Sequence, residues 1–381
     1  MPCSSFSIRY SLLAIRQHPM TDTPEHYFPA DYRSARDAFI AAAEDAGLGV
    51  TTRVHPSANG RDGKPLFLDT ATAGPREAKK ALLLISGTHG VEGYFGSGME
   101  TGLLREGIAR RVPDGVKLVM LHALNPYGFS WDRRVNEDNA DINRNFIDHA
   151  HPPDNPDYAA LADAIAPKDI SPEAMKATNA RLRDYAQTRG EFALQAATSS
   201  GQYAYADGLY YGGSKPSWSS LMLKDVFAEE LAGVERLVVI DFHTGLGESG
   251  GAEMIIEDMP GTAPYNRAKK IWGARVHSTA EGDSLSAPLT GTIDVAVAGW
   301  MTGRELTFAA LEVGTRPVRD VFDALRRDNW LHLYAGPDHP EAGAIKRQIR
   351  AAFYTDTPDW KRAVWAHGVA AVDAALAALH D

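Results

Sequence analysis

Short apolar runs, each closed by glycine or a polar cluster, recur along this chain, and helically spaced segments fill the intervals between them. From Asp31 to Gly47 the residues Ala35, Phe39, Ile40 and Ala43 fall on one helical face, and Gly47 marks the stop. Two strands are predicted over Gly49–Val54 and Pro65–Leu68, joined by the turn residues Asn59-Gly60-Arg61-Asp62-Gly63. The run Ala81–Ile85 reads as a buried strand, and a helix is predicted from Ser97 to Arg110. A further buried strand covers Val116–Leu121. Helical patterns then dominate Asp157–Ile165 and Pro172–Ala197. After the Gly- and Tyr-rich loop Tyr203–Ser214, a helix is predicted over Trp218–Leu231. Strands follow at Leu237–Ile240 and Ala252–Glu257, a helix at Pro264–Trp272, and a strand at Leu306–Val313. Three helices, Arg319–Leu333, Pro340–Phe353 and Lys361–Leu379, close the chain.

Strands alternating with helices predict an α/β fold: a mixed, mostly parallel central sheet with helices on both faces. No internal repeat interrupts the pattern. Residues 31–381 read as one domain carrying a helical insertion near 152–202, behind an N-terminal extension over residues 1–30. Met20 precedes a polar stretch of the kind that opens cytoplasmic proteins, so the start is placed there, with a targeting peptide around Tyr10–Ile15 as the alternative.

Composition narrows the function classes. With 44% hydrophobic and 23% charged residues the profile is that of a globular protein. The formal net charge is −10 and no block of Lys and Arg forms a basic face, which excludes a nucleic-acid partner. No unbroken apolar run approaches the roughly 20 residues of a membrane span, and no membrane partner is expected. Cys3 is the single cysteine, so any metal must be held by His, Asp and Glu.

Candidate chemistry gathers at strand ends. The motif Gly87-Thr88-His89-Gly90-Val91-Glu92-Gly93 follows the Ala81–Ile85 strand, and Asp241-Phe242-His243-Thr244-Gly245 follows the Leu237–Ile240 strand. One histidine in such a place is more often structural. Two, each beside threonine and glycine, suggest that His89, Glu92 and His243 form a three-ligand metal set with one position left for water. Glu312, inside the apolar strand Leu306–Val313, is costly to bury without a task or a partner, and beside such a site it would be a general base. The polar stretch Asn125–Phe146 clusters Arg133, Arg134 and Arg144 with several amides, suited to gripping a carboxylate and stabilising an oxyanion.

Together these residues resemble the zinc carboxypeptidase (M14-like) superfamily, and within it the bacterial branch DUF2817. The likeness rests on His89-x-x-Glu92, Asn125-Pro126-x-Gly128, Arg134, Asp141-x-Asn143-Arg144-Asn145-Phe146, His243 and Glu312, in that order. It implies a zinc carboxypeptidase-like fold and one Zn2+ per chain on His89, Glu92 and His243. It implies Glu312 as general base and acid, and Arg134 polarising the scissile carbonyl, with Arg133 as the alternative. Asn143 and Arg144 would grip a substrate carboxylate, and Asp141 would orient His89. The tyrosine that such peptidases carry shortly before the catalytic glutamate is missing, since none lies between Tyr265 and Glu312; Tyr210 or Tyr211 is the candidate stand-in. The segment around His243 is also similar to the aspartoacylase and succinylglutamate desuccinylase branch. The expected function is hydrolysis of an amide bond next to a carboxylate, in a peptide or in an N-acyl amino acid. A metal- or peptide-binding protein without catalysis is the third reading.

Overall fold

In the computed structural model, which describes residues 23–282 and 284–380, the apolar runs pair into one eight-stranded sheet. The strands are β1 Val50–Asn59, β2 Pro65–Ala73, β3 Lys80–Ile85, β4 Val116–His122, β5 Arg236–Thr244, β6 Ala252–Ile256, β7 Val276–Ser278 and β8 Glu305–Val313. Their order is β1-β2-β4-β3-β5-β8-β6-β7. The central strands β4, β3, β5 and β8 run parallel, while β1, β2 and β6 join antiparallel to their inner neighbours. The predicted fold class is therefore the observed one. The Met20 start, the Tyr10–Ile15 segment and Cys3 lie outside the described residues.

Alternation along the central strands builds a core on each face. Leu82 and Leu84 of β3 face one way, with Leu118, Met120, Val238 and Ile240, against the helices Tyr32–Asp45, Gly93–Arg105 and Pro358–His380. Ala81, Leu83 and Ile85 face the other way, with Val119, Leu121, Leu237 and Val239, against Trp218–Val226 and Ile293–Trp300. Phe28 is buried in the first core, so the body of the fold begins before residue 31. A third cluster joins the insertion helix Pro156–Ile165 to Val318–Trp330 and Ala342–Phe353.

Several elements differ from the sequence expectation. The helix predicted from Ser97 starts at Gly93, straight after the His89–Glu92 motif, and ends at Arg105. Its glycines disguised it, since glycine is a poor helix former. Here they serve contact: a β-carbon on Gly102 would sit 2.4 Å from the Trp365 ring. The predicted helix Pro172–Ala197 is two helices, Pro172–Arg189 and Glu191–Ser199, broken at Gly190, whose φ of 95° no helix accommodates. Strand β5 runs on to Thr244, so His243 lies within the strand rather than after it. The short strand β7 and the helix Ile293–Trp300 were not anticipated. The final helix, Pro358–His380, is long and apolar enough by length and composition to cross a bilayer, which a search for unbroken apolar runs does not reveal. In this fold Val364, Trp365, Val372 and Leu379 are buried in the first core.

Candidate metal centre

Strand register brings the candidate residues together. In the parallel pair β5/β8, His243 lies beside Glu312, and Asp241 beside Ala310. Residues two apart on a strand share a face, so Asp241 and His243 point the same way. From the neighbouring strand β3 the chain enters the motif. A short 3-10 turn, Gly90–Glu92, turns it into the helix Gly93–Arg105 and aims His89 and Glu92 at the same edge. Gly90 is required there: a β-carbon would lie 2.1 Å from the Gly128 carbonyl carbon. That packing fastens the motif to the Asn125–Phe146 stretch, as do hydrogen bonds from the Gly90 and Val91 N–H groups to the carbonyls of Arg134 and Arg133.

His89, Glu92 and His243 converge, their candidate ligand atoms all within 4.8 Å of one another. His89 Nδ1 lies 3.0 Å from Glu92 Oε1, and His243 Nδ1 lies 3.2 Å from both Glu92 Oε2 and His89 Nδ1. Both imidazoles thus turn Nδ1 inward. Each Nε2 meets a buried carboxylate: Asp141 at 3.1 Å for His89, and Asp241 at 2.8 Å for His243. Two tautomers are open to His89. With Nε2–H on Asp141, Nδ1 presents a lone pair to the centre. With Nδ1–H on Glu92, Nε2 instead accepts from Arg134 Nη2, 2.8 Å away. The Asp141 carboxylate favours the first form and the Arg134 guanidinium the second. Asp241 favours an N–H on His243 Nε2, and it is in turn held by the Thr88 hydroxyl.

Charge fits the same reading. Four carboxylates are buried here: Glu92 where the two Nδ1 atoms meet, Asp141 and Asp241 behind the two rings, and Glu312 beside His243 in the strand pair; among the described residues Arg134 is the guanidinium bonded into the cluster. Burial opposes ionisation of Glu92, yet His89 and His243 hold its carboxyl well below the usual range. Burial likewise opposes charge on His243, yet Asp241 and Glu92 raise its pKa well above the usual imidazole value. A site that draws a proton onto a buried imidazole lacks positive charge. Two imidazole lone pairs, one carboxylate and a surplus of negative charge suit a divalent cation.

The other candidates fall into place around this point. Glu312 is 7% exposed and accepts the Leu246 N–H at 2.8 Å. Burial and then the Glu92 charge push its carboxyl up to about 8. Arg134 binds Asp141 through Nε at 3.0 Å and Glu92 through Nη1 at 3.1 Å, and with Nη2 against His89 Nε2 at 2.8 Å it keeps one further N–H on each terminal nitrogen. Arg133 turns elsewhere, to Asp328 and Asn139, and is not part of the cluster. Arg144 is 2% exposed and bonds only carbonyls, those of Asn143 and Ser199, making no ion pair with the described residues. Asn143 donates its N–H to Asp141, while its side-chain oxygen accepts from Ile293. Tyr210, held at a φ of 54°, lays its ring over Arg134 and Arg144. Tyr211 reaches the site through its carbonyl, which accepts the Asp141 N–H. Asp241 is the member the sequence reading passed over. Its signal was present in the Asp-x-His spacing on a strand, which puts both side chains on one face.

The model of the family described as a protein of unknown function (DUF2817) matches residues 28–367. The chain belongs to this family. No curated protein matches the sequence. Among solved structures, a carboxypeptidase A from Helicoverpa armigera is similar at 11% identity and a TM-score of 0.44, covering 85% of this chain and 74% of that one. A metallo-carboxypeptidase from Burkholderia cenocepacia is similar at 15% identity and 0.40, covering 89% and 68%. The succinylglutamate desuccinylase from Chromobacterium violaceum is similar at 15% identity and 0.37, covering 82% and 72%. Likeness at this distance carries no function across, so the chemistry rests on the residues themselves.

Proposed function

We propose that this protein is a zinc-dependent hydrolase of an amide bond next to a substrate carboxylate. The observation that carries the reading is the pair of inward Nδ1 atoms, each imidazole backed by a buried aspartate, with Glu92 as third donor and Glu312 alongside. Zinc, when bound by His89, Glu92 and His243, would lower the pKa of a water and polarise the scissile carbonyl. The chain's own residues do the rest. Glu312 accepts the proton of the attacking water and returns it to the departing amine. Arg134, fixed by Asp141 and Glu92, offers its remaining N–H groups to the developing oxyanion. Arg144, a buried guanidinium without an ion pair among the described residues, grips the substrate's carboxylate, with Asn143 beside it.

Enclosure favours the smaller of two substrate classes. His89 and His243 are each 4% exposed, and Arg144 is bonded to the insertion through the Ser199 carbonyl. A centre so covered suits an N-acyl amino acid better than a long peptide. The test is metal analysis of the purified chain followed by hydrolysis of N-acyl amino acids and of peptides with free C-termini. About one zinc per chain and chelator-sensitive hydrolysis are expected, restored by zinc, because three ligands with one open position define a single catalytic site. A chain that takes up no zinc, or hydrolysis indifferent to chelator, refutes the assignment.

A further inference from the structure

A cavity adjoins the centre and shares His243, Asp241 and Asn143 with it. Its empty space is about 410 Å³ with the open solvent at its mouth counted in, and about 50 Å³ of it is room for the centres of water-sized groups. Three carboxylates outside the catalytic set line it: Glu257 and Asp258, just after β6, and Asp294 in the first turn of Ile293–Trp300. No lysine or arginine lines it. Arg144 and Arg267 ease Glu257 and Asp258 electrostatically, from outside the lining. Burial pushes the Glu257 carboxyl up to about 7, and the Asp294 charge adds to the rise. Burial and Asp294 raise Asp258 in the same way. Thr292, 2% exposed, stands in the same wall, and its hydroxyl, though near the Asp294 carboxylate, meets no partner in hydrogen-bond geometry. Ile255, Phe308 and Ala310 supply an apolar part of the lining.

Glu257 is eased by the Thr279 side chain and the Leu289 backbone, and Asp294 by its own helix start, but no lysine or arginine lines the cavity; carboxylates so placed beside an apolar wall match a ligand with a methylene stem and a cationic head. A bare metal ion fits less well. It has no use for the apolar wall, and among the described residues His89, Glu92 and His243 form the single converging metal-ligand set. The position matters as much as the charge. Asn143 lines the cavity and neighbours Arg144, so a ligand whose carboxylate is gripped there can place its side chain among Glu257, Asp258 and Asp294.

We propose that this cavity selects a basic side chain, so that the preferred substrate is an amide whose amine half is a lysine- or arginine-like amino acid. The selectivity for hydrolysis rests on the reading of the centre given above; the binding preference does not. The experiment is calorimetric titration of the zinc-loaded full chain with L-lysine, L-arginine, L-norleucine and L-glutamate. Norleucine matches the lysine stem without its charge. Lysine and arginine are expected to bind at least roughly tenfold more tightly than norleucine, the scale of a desolvated charge pair. Glu257→Gln combined with Asp294→Asn should abolish that preference and leave norleucine binding unchanged. Norleucine binding as tightly as lysine overturns the proposal in the unmodified protein alone, whether or not the double variant folds. So does a preference that survives in a folded double variant, or no binding of either basic amino acid. A parallel hydrolysis panel separates the two readings. Chelator-sensitive hydrolysis with no preference for basic amine halves overturns the selectivity and spares the hydrolase. Basic-ligand binding without hydrolysis spares the cavity and removes the hydrolase.

Discussion

Two buried clusters of histidine and carboxylate flank the same helix, and they carry opposite charge states. At its start, Glu92 accepts from Arg134 and the Thr244 N–H, the His89 and His243 rings lie against it, and its carboxyl is held well below its usual range. Two turns on, among the described residues Glu100 receives one hydrogen bond, from Ser86 Oγ at 2.9 Å, and its second oxygen has no partner there. Burial drives that carboxyl well above its usual range. The histidines divide in the same way. His243 has a carboxylate on each ring nitrogen, whereas His122 has Ser97 on Nε2 and, among the described residues, nothing on Nδ1. Burial pushes His122 down to about 4. Both carboxylates are at most 1% exposed, so burial does not separate the two regions. The surroundings do: two N–H donors and two imidazoles keep a buried carboxylate charged, and one hydroxyl does not. Charge that survives burial marks Glu92 among the candidate ligands, and neutral groups packed between helix and sheet mark the core.

The largest effect should come from exchanging a carboxylate for an amide in each region. Glu312→Gln removes the proton acceptor while preserving shape, and it should cut turnover by about 10²- to 10⁴-fold, the usual worth of a positioned acid–base group. Zinc content should stay near that of the unmodified chain, because Glu312 is not among the converging ligands. Glu100→Gln should leave both turnover and zinc content where they were. Steady-state rates and metal analysis of the two variants decide the matter; similar losses in both would erase the distinction between centre and core.

A smaller effect is expected from the carboxylates behind the histidines. Asp241→Asn keeps the contact to His243 Nε2 but removes the charge that favours an N–H there. Zinc affinity should fall by about 10- to 100-fold, the usual cost of losing such a partner. Competition with a chromophoric chelator measures it. His122 supplies the control. It has no carboxylate partner, so His122→Gln should leave zinc affinity unchanged even if it lowers stability. Unaltered affinity in Asp241→Asn would mean that β5 holds His243 in place without help.

How much of this was legible in the sequence follows the same divide. The buried strands announced themselves as apolar runs, and from their order the mixed sheet followed. His89, Glu92, His243 and Glu312 stood out because a titratable residue at the end of an apolar strand is costly without a task. The helix Gly93–Arg105 was masked in its first turn, because its glycines serve contacts with residues far along the chain, Trp365 among them. The helix Ile293–Trp300 reads Ile-Asp-Val-Ala-Val-Ala-Gly-Trp, whose β-branched residues favour a strand. It is held as a helix by packing Ile293 and Val297 into the second core. Glu100 and His122 gave no signal because their neutrality depends on how few donors the fold happens to bring them.

The smallest effect tests that neutrality directly. Glu100 has a raised carboxyl, so the folded chain keeps a proton that the unfolded chain releases above about 4.5, the ordinary glutamate value. Its contribution to stability is therefore present at acid pH and is lost as pH rises towards the folded value. His122 works on the other flank. Its folded value of about 4 lies below the ordinary 6.5, so the unfolded chain takes up its proton first and stability falls as pH drops through that window. Glu100→Gln keeps an acceptor for Ser86 and cannot ionise, so it removes the alkaline loss and leaves the acid one. Urea unfolding of both chains, with chelator present to keep metal out of the comparison, should show little difference near pH 4.5. At pH 8 the variant should be the more stable, and the gap should widen steadily between the two pH values. A gap that does not grow between those two pH values would mean that Glu100 ionises in the folded chain as readily as in the unfolded one. A single hydrogen bond would then suffice to hold a charge in this core, and the contrast with Glu92 would fail at its root.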